Sequence, residues 1–190
     1  MNAQVAAITD KNQRSLCAQM AKLKTRGKKY VLIPDVIKDL QLKSIKREEP
    51  NDPINFTNSN IPVTRRMKLV PNPELYIPNV LTALSTVFPG CNSTLVKVIT
   101  SQRGDKEQLL HTDFDLKYII SRVFYLDSFH YSAIIALQPD THLLVRGKRE
   151  RIDIPVNSRL LFRGDLPHAG GAYKKATVNK VIKISILLRY

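Results

Sequence analysis

Two short stretches of the sequence carry side chains of the kinds that hold metal ions in proteins. His111 and Asp113 are separated by one residue, and His168 follows far along the chain in the stretch Gly-Asp-Leu-Pro-His-Ala-Gly. If the first pair lies in an extended strand, both side chains leave the same face, and a histidine from a distant strand can complete a triangle. Two imidazoles and one carboxylate around an octahedral ion leave three positions open for substrates. The spacing therefore predicts a mononuclear metal site suited to Fe(II).

The histidines also allow a purely structural interpretation. A single His-x-Asp pair often occurs by chance, and His111 would then be a hydrogen-bonded core residue and His168 a turn residue. The pair, the Gly-Asp turn before His168 and a polar-faced last strand occur together and in order, which favours the metal site. His130 and His142 have no partner at ligand spacing, so we predict that both are surface residues.

From residue 94 onward, short apolar runs alternate with turn signals such as Arg103-Gly104-Asp105 and Gln138-Pro139-Asp140. This pattern is typical of strands bounded by turns. About eight short strands predict a closed or sandwiched antiparallel sheet, that is, a jelly roll or double-stranded β-helix. The predicted strands cover residues 94–100, 108–111, 131–137, 142–146, 151–154, 159–162, 169–173 and 180–189.

The first part of the chain has a different character. We expect residues 1–70 to form a basic extension of helices and loops that packs on a core of residues 71–190. The whole is expected to be mainly β with N-terminal helices (α+β). The predicted elements before the main run of strands are helices over residues 10–27, 35–42 and 79–87 and strands over residues 30–33 and 62–70.

The composition indicates a basic globular protein. The 190 residues carry a formal charge of +14, and 43% of them are hydrophobic, which is enough to fill a core. The charge favours acidic partners such as nucleic acid, and Arg65, Arg66 and Lys68 could contact phosphate, although a solvated basic face explains them equally well. Cys17 and Cys91 are predicted to be reduced thiols. With no apolar run long enough to cross a membrane, we expect an intracellular, soluble protein, cytoplasmic or nuclear.

With the His-x-Asp pair at the end of one predicted strand and the second histidine entering another, residues 94–190 resemble the 2-oxoglutarate- and Fe(II)-dependent dioxygenases. In that family these three residues hold iron on a double-stranded β-helix. The resemblance implies that His111, Asp113 and His168 bind Fe(II). It also implies that oxidative decarboxylation of 2-oxoglutarate by O2, which yields succinate, is coupled to hydroxylation of a substrate, or to its demethylation where the hydroxylated carbon adjoins a nitrogen.

The last predicted strand offers candidates for binding 2-oxoglutarate. Alternate residues face opposite sides, so the isoleucines of residues 182–188 share one face and Lys183, Ser185 and Arg189 share the other. The family binds the distal carboxylate of 2-oxoglutarate through a basic residue on its eighth strand, often in a basic-x-Ser pairing, and the AlkB-like branch ends in R-x-N-x-x-x-R. The resemblance assigns Lys183, Ser185 and Arg189 to the cosubstrate. Lys180, the position suggested by prolyl hydroxylases, falls on the isoleucine face.

Several alternatives stay open at this point. The barrel could be a non-catalytic module that binds nucleic acid, or a cupin-like metalloenzyme that does not use 2-oxoglutarate. The substrate is expected to be a protein side chain or an alkylated nucleic acid base. The basic charge favours the base, whereas the missing first-strand Asn and Tyr of the AlkB-like branch favour a protein or small molecule. Asp165 is predicted either to orient His168 or to form a turn, and Tyr173 to lie in the pocket or at its rim.

Overall fold

The structure is a computed structural model, and it describes residues 30–33, 65–70, 92–114, 130–145, 150–173 and 178–189. Nine strands are present in these ranges. They are β1 (Tyr30–Ile33), β2 (Arg66–Leu69), β3 (Asn92–Gln102), β4 (Tyr131–Ala136), β5 (His142–Val145), β6 (Glu150–Asp153), β7 (Arg159–Arg163), β8 (His168–Gly170) and β9 (Lys180–Arg189).

Six of the strands form one antiparallel sheet in the order β1-β7-β4-β9-β3-β2. β9 is central and pairs with β3 over almost its whole length and with β4 on its other side. The two edge strands, β1 and β2, both come from the part of the chain before residue 71. The other three strands form a smaller antiparallel sheet in the order β6-β5-β8.

The hydrophobic core lies between the two sheets. β4 and β7 contribute Ile134, Ala136, Leu160 and Phe162 from the large sheet, and β5 and β6 contribute Leu143, Val145 and Ile152 from the small one. Alternation along each strand explains why these residues and not their neighbours enter the core, because every second side chain points to the same face. From β4 onward the chain crosses between the sheets four times, from β4 to β5, β6 to β7, β7 to β8 and β8 to β9. A core shared by two antiparallel sheets that are joined in this way is a double-stranded β-helix.

The register shows which face of β9 points into this core. Directly opposed residues of antiparallel strands share a face, and Lys183 is opposite Ala136 while Ser185 is opposite Ile134. Lys183 and Ser185 therefore face the interior, and the isoleucines of β9 face the outside of the large sheet. That outer face is also buried, since Ile184 and Ile186 are at most 1% exposed.

The predicted mainly β fold is confirmed for the described residues, and the predicted strands match the observed ones within a few residues. One exception is residues 108–111, which form only an isolated bridge through His111. The predicted helices, Cys17 and Cys91 lie outside the described residues. No helix among the described residues has the length and hydropathy needed to span a membrane.

Candidate metal centre

The candidate metal centre lies where the chain after β3 runs beside β8. His111 and His168 form an antiparallel bridge in which each backbone N–H donates to the carbonyl of the other, at 2.9 and 2.8 Å. This reciprocal pair holds the two backbones side by side at the open end of the barrel. The imidazole rings then lie 4.6 Å apart between centroids, at an angle of 53°.

Asp113 completes the cluster of three predicted ligands. One ligand atom from each of His111, Asp113 and His168 lies within 4.8 Å of the others, and His168 Nε2 is 3.6 Å from Asp113 Oδ1. Two nitrogen donors and one oxygen donor thus lie close together, as the sequence predicted.

Both histidines are oriented by the same backbone contact. The Nδ1 atom of His111 lies 2.9 Å from the carbonyl oxygen of Leu109, and that of His168 lies 2.9 Å from the carbonyl of Leu166. A carbonyl only accepts, so each Nδ1 carries the hydrogen and donates it. This tautomer leaves the lone pair on Nε2, the atom needed for a metal bond.

Of the two roles predicted for Asp165, the structure shows the one in the turn and not the one that orients His168. Asp165 instead accepts two hydrogen bonds from Arg163, at 2.7 and 3.0 Å, across the turn between β7 and β8. Leu166 takes the orienting role through its carbonyl. At both ligand positions a leucine lies two residues before the histidine. The sequence does not reveal its role, because every residue carries a backbone carbonyl and the acceptor is therefore not marked by residue type.

Burial controls the protonation of His168, which is 4% exposed. Desolvation lowers the pKa of His168, and the nearby Asp113 carboxylate raises it to a lesser extent. The imidazole is therefore favoured in the neutral form, which is the form that binds a metal. Phe162 packs edge-on against the same ring, 4.8 Å between centroids, and fixes it further.

Aromatic packing holds the chain after Asp113. Phe114 is buried and stacks on His130, with ring centroids 4.6 Å apart. Gly164 makes room for this ring, because a Cβ built there would lie 2.4 Å from it. The prediction that His130 and His142 are surface residues is wrong: they are 3% and 5% exposed. Each ring contacts a residue distant in sequence, Phe114 for His130 and Tyr173 for His142.

Lys183 is a buried cation inside the barrel. It is 4% exposed, and burial lowers its pKa from 10.5 to about 7, with repulsion from Arg65 adding to the effect and attraction to Asp113 opposing it. Among the described residues, no carboxylate forms an ion pair with its ammonium group. An uncompensated buried cation is costly, so its persistence indicates a role that a neutral side chain would not fill.

The other residues predicted to bind 2-oxoglutarate take different positions. Ser185 is half-buried and faces the same interior as Lys183, one step along β9. Arg189 is the last residue of β9 and pairs with Asn92. Lys180 is exposed, which agrees with the choice of Lys183 over it.

One interior residue was misplaced by the sequence interpretation. Both interpretations of the sequence, a phosphate-contacting surface and a solvated basic face, placed Arg65 on the surface with Arg66 and Lys68, but it is only 1% exposed. Its neighbour Arg66 pairs with Thr100 in the β2–β3 register. Neither residue is distinguished by local sequence, because consecutive arginines give no signal of which one points inward.

No protein-family model matches the chain, and neither does any curated protein. Solved structures do. A Pseudomonas putida prolyl-4-hydroxylase matches 92% of this chain and 98% of its own, with a TM-score of 0.64 at 14% identity. The α-ketoglutarate-dependent epimerase SnoN from nogalamycin biosynthesis matches 92% of this chain and 83% of its own, with a TM-score of 0.64 at 12% sequence identity.

A prolyl hydroxylase from Trichoplax adhaerens in complex with a hypoxia inducible factor peptide fragment is also similar. It matches 99% of this chain and 93% of its own, with a TM-score of 0.63 at 14% identity. At such identities the likeness establishes the fold. The chain therefore has the double-stranded β-helix fold of these structures, and the resemblance seen in the sequence is confirmed at that level.

Proposed function

We propose that this protein is an Fe(II)- and 2-oxoglutarate-dependent oxygenase. The observation that carries the proposal is the pairing of two features in one barrel interior. The first is the convergence of His111, Asp113 and His168 with both Nε2 atoms free. The second is the buried, uncompensated cation of Lys183. The solved structures of this fold include α-ketoglutarate-dependent enzymes, which supports joining the two features in one reaction.

The three ligand residues fit Fe(II) by their chemistry. A facial set of two histidines and one carboxylate leaves open positions, which is the arrangement of non-haem Fe(II) oxygenases. When bound, the iron would supply the redox chemistry that couples oxidation of a substrate C–H bond by O2 to the decarboxylation of 2-oxoglutarate. The task of the protein is to hold the imidazoles correctly rotated with Nε2 facing the metal position, which the carbonyls of Leu109 and Leu166 do.

Lys183 is proposed to bind the distal carboxylate of 2-oxoglutarate. A charge-assisted hydrogen bond to a carboxylate is short and strong in a dry interior, and it would compensate the buried ammonium group. Ser185 faces the same interior and could add a hydroxyl donor, while Arg189 lies farther along β9 toward its end. We assign Lys183 the main role and Ser185 and Arg189 accessory ones.

A protein side chain is our proposed substrate, in preference to a nucleic acid base. The residues just before the first ligand, Leu109 and Leu110, are 56% and 42% exposed, so the surface beside this ligand is apolar where contact with a nucleic acid would favour cations. A related fold binds a peptide fragment in the Trichoplax adhaerens hydroxylase. A small-molecule substrate is the second candidate, since SnoN is an epimerase from nogalamycin biosynthesis.

The test combines binding with turnover. Fe(II) and then 2-oxoglutarate are titrated into the protein without oxygen, and succinate is measured after O2 is admitted, for wild type and for His111→Ala, Lys183→Ala and Lys180→Ala. We expect His111→Ala to lose metal and Lys183→Ala to lose 2-oxoglutarate binding, with Lys180→Ala as the exposed control on the same strand. Metal binding without any effect of Lys183→Ala would indicate a cupin-like enzyme. Polyanion binding that persists without metal, with no succinate, would indicate a binding module.

A further inference from the structure

Arg65 is a second buried cation inside the barrel, although it comes from outside the strands that carry the metal ligands. It is 1% exposed, and burial lowers the pKa of its guanidinium group, with smaller opposing effects from Tyr173 and Asp105. Its Nη2 donates to the carbonyl of Gly171 at 3.3 Å. Its Nε and Nη1 have no hydrogen-bond partner, and among the described residues no carboxylate forms an ion pair with it.

The position of Arg65 is set by strand register and by the absence of a side chain at Gly170. Arg66 is opposite Thr100, so one step further places Arg65 beside Ser101, which is itself opposite Val181 on β9. Val181 is two residues before Lys183 and therefore on the same interior face. A Cβ built on Gly170 would lie 2.8 Å from Arg65 Nη1, so the missing side chain of that glycine leaves room for the guanidinium group.

Two hydroxyl groups in this region also lack partners. The Oγ of Ser101 is buried without a hydrogen bond, and the hydroxyl of Tyr173 has none within 3.5 Å, although an interaction with the backbone of His142 opposes the effect of burial on the Tyr173 pKa. The Arg65 guanidinium carbon lies 5.8 Å from the centre of the Tyr173 ring. Tyr173 packs with Val181, so it belongs to the same end of the barrel. Buried polar groups without partners are rare in native proteins. Four such atoms lie in this region, Arg65 Nε and Nη1, Ser101 Oγ and the Tyr173 hydroxyl oxygen, and their proximity favours the binding of an anion.

We propose that Arg65, Lys183, Ser101 and Tyr173 form one carboxylate-binding floor, in which Arg65 is a specificity-determining residue for dicarboxylate 2-oxo acids. This inference rests on the proposed function and deepens it. Two buried cations repel each other, as the effect of Arg65 on the Lys183 pKa indicates. A carboxylate between them removes that repulsion and gives both cations and both hydroxyls a partner. The planar guanidinium group can hold a carboxylate through two parallel N–H donors.

The experiment compares Arg65→Met with Arg66→Met. The control makes the same chemical change one residue away, on the opposite face of β2. Binding of 2-oxoglutarate and of 2-oxopentanoate is measured without oxygen on the Fe(II) protein, because the second acid has the same chain length but no distal carboxylate. Initial rates of succinate formation separate KM from kcat.

We expect Arg65→Met to weaken 2-oxoglutarate binding about 10- to 100-fold, as loss of a hydrogen bond to a charged group predicts. Binding of 2-oxopentanoate should change little, and kcat at saturating 2-oxoglutarate should be retained. Arg66→Met should behave as wild type. Arg65→Lys keeps a cation, so its affinity for 2-oxoglutarate should lie between those of wild type and Arg65→Met. This variant also provides the comparison if Arg65→Met does not fold.

Two outcomes would overturn the inference. One is an unchanged preference for 2-oxoglutarate over 2-oxopentanoate in both Arg65 variants. The other is an equal loss of affinity for both acids, because that would mean that Arg65 acts on the metal-chelating end or on the fold as a whole. Failure of the proposed function is distinguishable, since wild-type protein would then bind no 2-oxoglutarate and form no succinate.

Discussion

Replacing Lys183 with methionine should make the metal-free protein more stable while abolishing cosubstrate binding. The ammonium group is buried and unpaired among the described residues, so folding strips it of water without a compensating ion pair. Methionine has a similar length and no charge, so it can occupy the same interior position. A lysine that merely supported the fold would give the opposite result, because its loss would destabilise the protein.

The magnitude follows from the pKa of Lys183, which burial lowers from 10.5 to about 7. Between these two values the unfolded chain binds more protons than the folded protein, so stability rises with pH through that window. Below about pH 7 both states are charged and the cost of burying the ammonium group is fully present. At about 1.36 kcal/mol for each pH unit of difference, the cost near neutral pH is on the order of 4 kcal/mol.

The assay is urea unfolding of the metal-free protein at pH 6, 8 and 10. We expect wild-type protein to gain stability across this range, and Lys183→Met to be more stable at pH 6 with a flatter dependence on pH. Lys180→Met changes an exposed lysine on the same strand and should match wild type at each pH. The reasoning would be refuted if Lys183→Met were less stable than wild type at pH 6, or if both proteins had the same pH dependence.

Three further predictions concern other parts of the site and its scaffold. His168→Ala should reduce Fe(II) affinity by more than the roughly 10- to 100-fold lost when a residue behind a ligand is removed, as measured by metal titration. Gly171→Ala should cost about 1 to 3 kcal/mol in unfolding experiments, because its Cβ would lie 1.8 Å from His142 Nε2, and adding His142→Ala should recover part of the loss. Arg159 is buried on the outer face of the large sheet with its pKa lowered by burial to about 10, so Arg159→Met should raise stability near neutral pH by up to about 3 kcal/mol. That variant should leave 2-oxoglutarate affinity unchanged, and a loss of affinity there would contradict the separation of the two faces.

Much of the barrel could be predicted because strand formation is largely local. Alternating apolar residues bounded by Gly, Pro and Asp identified β4 to β9 within a few residues, and the same period placed His111 and Asp113 on one face. The segment before His111 is paired with β8 only at single positions, so its pattern alone overstated its strand character. The local sequence pattern indicates an extended segment, but it does not show how many of its residues pair with a neighbouring strand.

The sequence by itself determined the kinds of ligand, their order along the chain and the alternation that separates Lys183 from the isoleucines of β9. Only the tertiary structure decided that Arg65 and not Arg66 points inward, that His130 and His142 are buried, and that a backbone carbonyl and not Asp165 orients His168. The physical reason is that both faces of the large sheet are buried, so polarity along a strand does not distinguish inside from outside. That distinction comes from strand register and from contacts between residues far apart in sequence.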